Sequence, residues 1–227
     1  MATPAHRGFS DGEMNETAQM STATGNAIRN ALAAAGLEPL NENAIGQLGV
    51  YVSLILRWNA RVNLTAIRTE DAIISRHLVE SIYVNSRLPG FVRTLLDYGS
   101  GAGLPGIPIA ICRPEIHVTL AESHNKKAAF LMEAVRVLGL SAKVHSGRAE
   151  ELKSKFDCVT LRAVDKMTAA VRSAEGLVAP GGWLALMTTD SALEKLKAVT
   201  SPVFEWSDAV KLHGGERRLL ALGLKPG

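Results

Sequence analysis

Side chains able to do chemistry concentrate in one stretch of this chain, Asp97-Tyr-Gly-Ser-Gly-Ala-Gly-Leu-Pro-Gly-Ile-Pro108, which follows the short apolar run Val92-Arg-Thr-Leu-Leu96. An apolar run, then an acid, then glycines at 99, 101 and 103 spell a strand, a tight turn and the start of a helix. Without three Cβ atoms the backbone can close on a flat ligand and reach φ values that other residues resist. Ordinary strand-to-helix loops are about 2–6 residues long and seldom need alternating glycines. The stretch therefore reads as a loop that binds a nucleotide-like cofactor.

Two ligand classes compete for it. Gly101, Gly103 and Gly106 form a G-x-G-x-x-G run with an acid, Glu122, about twenty residues further on, the arrangement used for NAD. The frame that begins at Asp97, D-x-G-x-G-x-G, resembles instead the S-adenosylmethionine (SAM) loop of class I methyltransferases. A carboxylate at the strand end can hold the ammonium of the methionine moiety, directly or through water, whereas a pyrophosphate beside Asp97 meets like charge. Glu122 closes a second apolar run, His117-Val-Thr-Leu-Ala121. It can accept hydrogen bonds from both ribose hydroxyls, and as an acid ahead of a helix it also stabilises the macrodipole by about 0.3–1 kcal/mol.

The elements that must position these groups follow from periodicity. Residues 1–24 are small, polar and nonperiodic and read as a disordered tail; they lack the apolar core of a signal peptide. Residues 25–90 read as a small helical lobe of three helices. The first starts at Asn26 and ends at Gly36, the second carries the stripe Ile45, Leu48, Val52, Ile55, and the third has Thr69 as N-cap and His77 on its apolar face. Residues 91–227 alternate strand and helix, which predicts a doubly wound α/β sheet. Strands fall near 92–97, 117–121, 142–146, 156–161, 183–188, 203–212 and 217–224, with helices near 104–112, 125–138, 165–178 and 190–199. These make a Rossmann-like seven-stranded sheet, mostly parallel, with an antiparallel C-terminal hairpin around His213-Gly-Gly215.

Further candidates sit at the predicted strand ends. Arg162 leaves the carboxyl end of the fourth strand, where open α/β sheets bind ligands, and a salt bridge with Asp165 or Glu151 is its structural alternative. Arg148, Lys126, Lys127 and the pair Arg217-Arg218 lie at or near strand ends, as a phosphate-binding surface requires; runs of charge are also the ordinary make-up of a solvated face. The net charge of +3 permits a nucleic-acid partner without proving one. With 227 residues, 47% of them apolar, the chain suits a soluble α/β domain with a small appendage. No apolar stretch approaches the ~20 residues of a membrane span. Cys112 and Cys158 lie in apolar runs and read as buried thiols of a cytoplasmic protein, and neither has a partner at metal-ligand spacing.

Taken together, several elements resemble a known family. The loop at 97–108, Arg57-Trp-Asn59 with Val62-Asn-Leu-Thr65, Arg76-His77 with Glu80-Ser81, Glu122-Ser123 with Lys126-Lys127, Arg148-Ala-Glu-Glu151, Leu161-Arg-Ala163 and Gly215-Glu-Arg217 are similar, in order, to RsmG (also called GidB), the bacterial 16S ribosomal RNA guanine-N7 methyltransferases. The resemblance spans about residues 26–225. Departures are Tyr98 for a small aliphatic residue, Glu80 and Glu122 for Asp, and Leu161 for Ser. The resemblance implies a class I SAM-dependent methyltransferase fold, SAM as cofactor and small-subunit ribosomal RNA as partner, free or within the 30S particle. It places Gly99, Leu104, Ala149 and Glu150 on the cofactor, with Asp97, Gly101, Gly103 and Glu122 in the roles argued above. It sets Arg162 between cofactor and nucleotide, puts Lys126 and Arg217 on the substrate side, and brings the His77 helix against the pocket, while the position of Arg148 beside the pocket suits a phosphate or base contact. Guanine N7 has a lone pair and no hydrogen, which matches the lack of a recognisable nucleophile–base system here. Two other readings of the residues stay open: an NAD-dependent oxidoreductase using the same loop, and a noncatalytic RNA-binding assembly factor.

Overall fold

The computed structural model describes residues 11–164, 166–200, 202–213 and 217–227, with side chains from residue 22 onward. Helices α1 (Asp11–Ala34) and α2 (Glu42–Asn59) are followed by a third helical run. That run comprises α3 (Glu70–Ala72), a π-helical segment (Ile73–Leu78) and α4 (Val79–Arg87). The α/β part then reads β1 (Thr94–Tyr98), α5 (Gly106–Cys112), β2 (His117–Ala121), α6 (Asn125–Leu138), β3 (Lys143–His145), a 3-10 turn (Ala149–Glu151), β4 (Phe156–Arg162) and α7 (Met167–Glu175). It closes with β5 (Val178–Thr189), α8 (Asp190–Val199), β6 (Glu205–Trp206), β7 (Val210–Lys211) and β8 (Arg218–Leu224).

The sheet order is β3-β2-β1-β4-β5-β8-β6, with β7 also on β8. The first five strands are parallel, and β8 runs antiparallel to β5, β6 and β7. Register aligns the carboxyl ends: Tyr98 of β1 stands opposite both Ala121 of β2 and Leu161 of β4. The glycine loop, Glu122 and Arg162 therefore emerge along one edge. The central strands are continuous apolar runs because both faces are covered. Leu95 and Cys158 face the core shared with the N-terminal helices, while Leu96 and Val159 face the core beneath α7 and α8. Both cysteines are free, and burial pushes their thiols up to about 12.

Three expectations need correction. Helix α1 begins at Asp11, not near Asn26, so residues 11–24 are helix rather than tail; the remaining tail residues lie outside the described ones. The segment holds Glu13, Met14, Glu16, Ala18 and Met20, good helix formers behind an acidic start, and its lack of apolar periodicity concealed this. The strand expected over 203–212 is two short pieces, β6 and β7, interrupted at Ser207-Asp208, which gives eight strands in place of seven. Ser and Asp offer the backbone side-chain alternatives to a ladder. Thr69 occupies the N-cap position with extended backbone, yet its side chain makes no cap hydrogen bond. The turn at Gly214 and Gly215 lies outside the described residues, although β7 and β8 pair antiparallel around it.

Candidate active site

A cleft of about 690 Å³ opens at the carboxyl edge of the sheet. Its floor is the glycine loop. Gly99, Gly101 and Gly103 have φ of +68°, +59° and +84°, values that favour glycine. Their duties differ. A Cβ on Gly101 meets no protein atom nearer than 3.9 Å and projects into the open cleft, whereas one on Gly103 lies 2.5 Å from Ile107 Cδ1. Gly99 and Gly101 face the cleft, while Gly103 is small so that α5 can pack. The loop is tied down from the lobe, because the buried Tyr51 hydroxyl donates to the Ala102 carbonyl at 2.5 Å.

Asp97 is not on the cleft wall. It is 1% exposed; its Oδ1 accepts from the Thr160 hydroxyl at 2.8 Å and its Oδ2 from the Gly106 amide at 3.2 Å. Burial pushes its pKa up to about 6, opposed by those two bonds, Ser100 and the Arg162 charge. This acid, expected to hold a ligand ammonium directly or through water, braces the loop from beneath. Glu122 does line the cleft, with Oε2 accepting from the Gly101 amide at 2.8 Å and Oε1 from the His124 amide at 2.7 Å. Each oxygen keeps a lone pair, as a bidentate acceptor of two vicinal hydroxyls needs.

Leu104, Ala149, Glu150 and Arg148 also line the cleft, as the sequence implied. Burial alone would raise the Glu150 carboxyl, but hydrogen bonding to Tyr98 and the Arg148 charge hold it below its ordinary value. The basic side chains shift by one position. Lys127, not Lys126, reaches the cleft; one step along α6 turns a side chain by about 100°, and Lys126 points to solvent. Arg217 is exposed at the foot of β8, and its neighbour Arg218 turns inward. Strand alternation predicts that only one of two adjacent arginines enters, but not which.

At the other end of the cleft stands a cluster that sequence reasoning did not assemble. Glu80 of α4 is fully buried, receives Arg162 Nη2 at 2.8 Å, and pairs with Arg218 Nη1 at 2.9 Å. Arg162 Nη2 also lies 2.6 Å from His77 Nδ1, and His77 Nε2 lies 2.9 Å from Thr65 Oγ1. The π-helical turn, where the Val79 amide bonds back to Ile74, sets His77 and Glu80 toward one guanidinium. Arg162 was expected to contact the ligand or pair with Asp165 or Glu151. Its partner is Glu80; Asp165 lies outside the described residues and Glu151 faces His145. Burial, then the charges of Arg162 and Arg218, lower His77 to about 3. Burial also brings Arg162 down to about 10, against the pull of Glu80. Arg162 Nη1 is buried without a partner, and Arg162 lines the cleft and an adjoining cavity of about 360 Å³. Glu80 carried no assigned role in the sequence because a lone acid in a helix is mute until its partner, eighty-two residues away, is seen.

A five-stranded parallel sheet extended by an antiparallel strand, a glycine loop after β1 and an acid after β2 define a class I methyltransferase. Solved structures agree on the fold. Atu636 of Agrobacterium tumefaciens, described as a predicted O-methyltransferase, superposes with a TM-score of 0.56 at 19% identity, over 65% of this chain and 81% of that one. TYW2 of P. horikoshii, in complex with MeSAdo, gives 0.55 at 14% identity over 66% and 63%. The family model of the rRNA small subunit methyltransferase G matches residues 44–218, and the chain belongs to that family. The ribosomal RNA small subunit methyltransferase G of Neisseria meningitidis serogroup B is 43% identical over 162 residues, 70% of this chain and 77% of its own length. That of Stenotrophomonas maltophilia is 46% identical over 142 residues, 60% and 65% of the two chains. The protein is accordingly a SAM-dependent methyltransferase of small-subunit ribosomal RNA. The oxidoreductase and noncatalytic alternatives give way to it. No helix among the described residues is long and apolar enough to cross a membrane.

Proposed function

We propose that this enzyme methylates N7 of one guanosine in 16S ribosomal RNA, in the cytoplasm, on RNA free or assembled in the 30S particle. The observation that carries the atom assignment is the substrate end of the cleft. His77, the one imidazole there among the described residues, is held neutral with both ring nitrogens engaged, and Glu80 is paired with two arginines. The His77 ring has no lone pair left for a proton at its present contacts, and the Glu80 carboxylate is charge-paired on both sides. That suits an acceptor nitrogen with a lone pair and no hydrogen to lose, so positioning does the catalysis.

The residues present fit SAM, whose sulfonium supplies the methyl group. The open space over Gly101 admits a ligand backbone, and the Glu122 carboxylate would take the ribose hydroxyls. Ala149, Leu104 and Glu150 would flank the adenine, with Asp97 holding the loop rather than the ligand. The unpartnered Arg162 Nη1 would donate to a base acceptor or a phosphate, and Arg148 and Lys127 would meet the RNA backbone. Nucleoside mass spectrometry of 16S ribosomal RNA from cells with and without the gene tests base, atom and reaction together. One 7-methylguanosine is expected to vanish with the gene and return with it; an unchanged 7-methylguanosine content rejects the assignment. Labelled methyl transfer to naked RNA and to 30S particles then identifies the physiological substrate.

A further inference from the structure

We propose that Thr65 sets base specificity, its hydroxyl donating a hydrogen bond to O6 of the guanine whose N7 is methylated; this rests on the N7-guanosine reading above. The direction of that bond follows from the groups behind it. A guanidinium has donors only, so Arg162 Nη2, at 2.6 Å from His77 Nδ1, forces Nδ1 to accept. The same nitrogen spends its second hydrogen on Glu80 at 2.8 Å. A neutral imidazole that accepts at Nδ1 carries its proton on Nε2, and Nε2 therefore donates to Thr65 Oγ1 at 2.9 Å. The opposite tautomer would aim an N–H at a guanidinium N–H. Thr65 Oγ1 also accepts the Ile67 amide at 3.2 Å, which fills its second lone pair.

A hydroxyl whose two lone pairs are filled has only its proton to offer. Among the described residues no acceptor takes that proton, and Thr65 lines the cleft beside His77 and Arg162, away from Glu122 and Ala149 at the other end. The Glu80–Arg162–His77–Thr65 chain thus ends in an obligate donor at the substrate end. Guanine presents N7 and O6, both acceptors, side by side; adenine presents N7 beside an N6 amino donor. An obligate donor next to the methyl-accepting nitrogen attracts the first base and repels the second. Glu80 and Arg162 act through His77 and fix the polarity of the chain, which ordinary threonine, free to rotate its proton, would lack.

The test compares 30S particles reconstituted with ribosomal RNA carrying guanosine or 2-aminopurine, which keeps N7 and lacks O6, at the methylated position. Wild type and Thr65→Ser are expected to prefer guanosine, and Thr65→Val to lose about 10- to 100-fold on guanosine but little on 2-aminopurine. The guanosine-to-2-aminopurine ratio then collapses in that variant, while SAM affinity by calorimetry stays within about twofold. Intrinsic differences between the two bases cancel in comparing the ratios. A Thr65→Val enzyme that is slower on both bases with an unchanged ratio overturns the proposal in favour of a packing role. Loss of SAM affinity in step with activity overturns it in favour of a cofactor contact, and wild type equally active on both bases overturns it directly. Failure of wild type to methylate guanosine N7 in any particle strikes the parent reading instead.

Discussion

Two carboxylates that look alike in the sequence differ sharply in the fold, and their variants should separate accordingly. Glu122 reaches the cleft, and Glu122→Ala is expected to weaken SAM binding at least tenfold by calorimetry, having lost a bidentate acceptor and the bond that holds the Gly101 amide. Asp97 acts under the loop, and its signature is a pH dependence. Its pKa rises from 3.8 unfolded to about 6 folded, so the folded state binds the proton first as pH falls. The stability from this group is complete below about 3.8 and is lost as pH rises through about 6. The melting temperature of wild type minus that of Asp97→Asn should therefore shrink between those two pH values; a constant difference rules this out. The acid-glycine spacing revealed the loop, but not which acid lines the cleft, because that depends on a strand partner, Thr160, distant in sequence.

Elements with regular periodicity were legible, and those made by tertiary pairing were not. The bounds of α6 and α8 coincide with the predicted ones, since each has a single apolar face and clear ends. The π-helical turn at Ile73–Leu78 left no such trace: an extra residue per turn keeps the same residue types and changes only where they point. The glycines of the loop likewise look alike until neighbours are known. Gly103→Ala must displace Ile107 and Leu131 at a left-handed φ, which should cost roughly 2–4 kcal/mol in denaturant titration. Gly36→Ala, also left-handed but with no atom within 4 Å, should cost only about 1–2 kcal/mol. Equal losses at both positions would count against packing as the reason for Gly103.

Across the whole molecule, Glu80 brings the negative charge that holds Arg162 of β4 and Arg218 of β8 together. Glu80→Ala leaves the buried Arg162 guanidinium without its counter-charge and beside the partly exposed Arg218, and breaking a buried pair in this way costs about 3–5 kcal/mol. For a chain of this size a loss of that order lowers the melting temperature by roughly 10 °C, and Glu80→Asp should recover part of it. The sequence divided the chain at residue 91 into a lobe and a catalytic domain, since the change from helical to alternating pattern is plain there. Leu48, Ile55 and Ile74 of the helical part share one core with Leu95, Val118 and Leu131 of the sheet part.

The hydroxyl of Tyr51 on the carbonyl of Ala102 carries a consequence for how such an enzyme can be rebuilt. Because the segment ahead of the sheet fastens the glycine loop and also supplies Thr65, His77 and Glu80, it is no detachable reader bolted onto a general-purpose engine. Grafting it onto another methyltransferase, or replacing it to retarget this one, would alter the grip on the donor together with the choice of RNA.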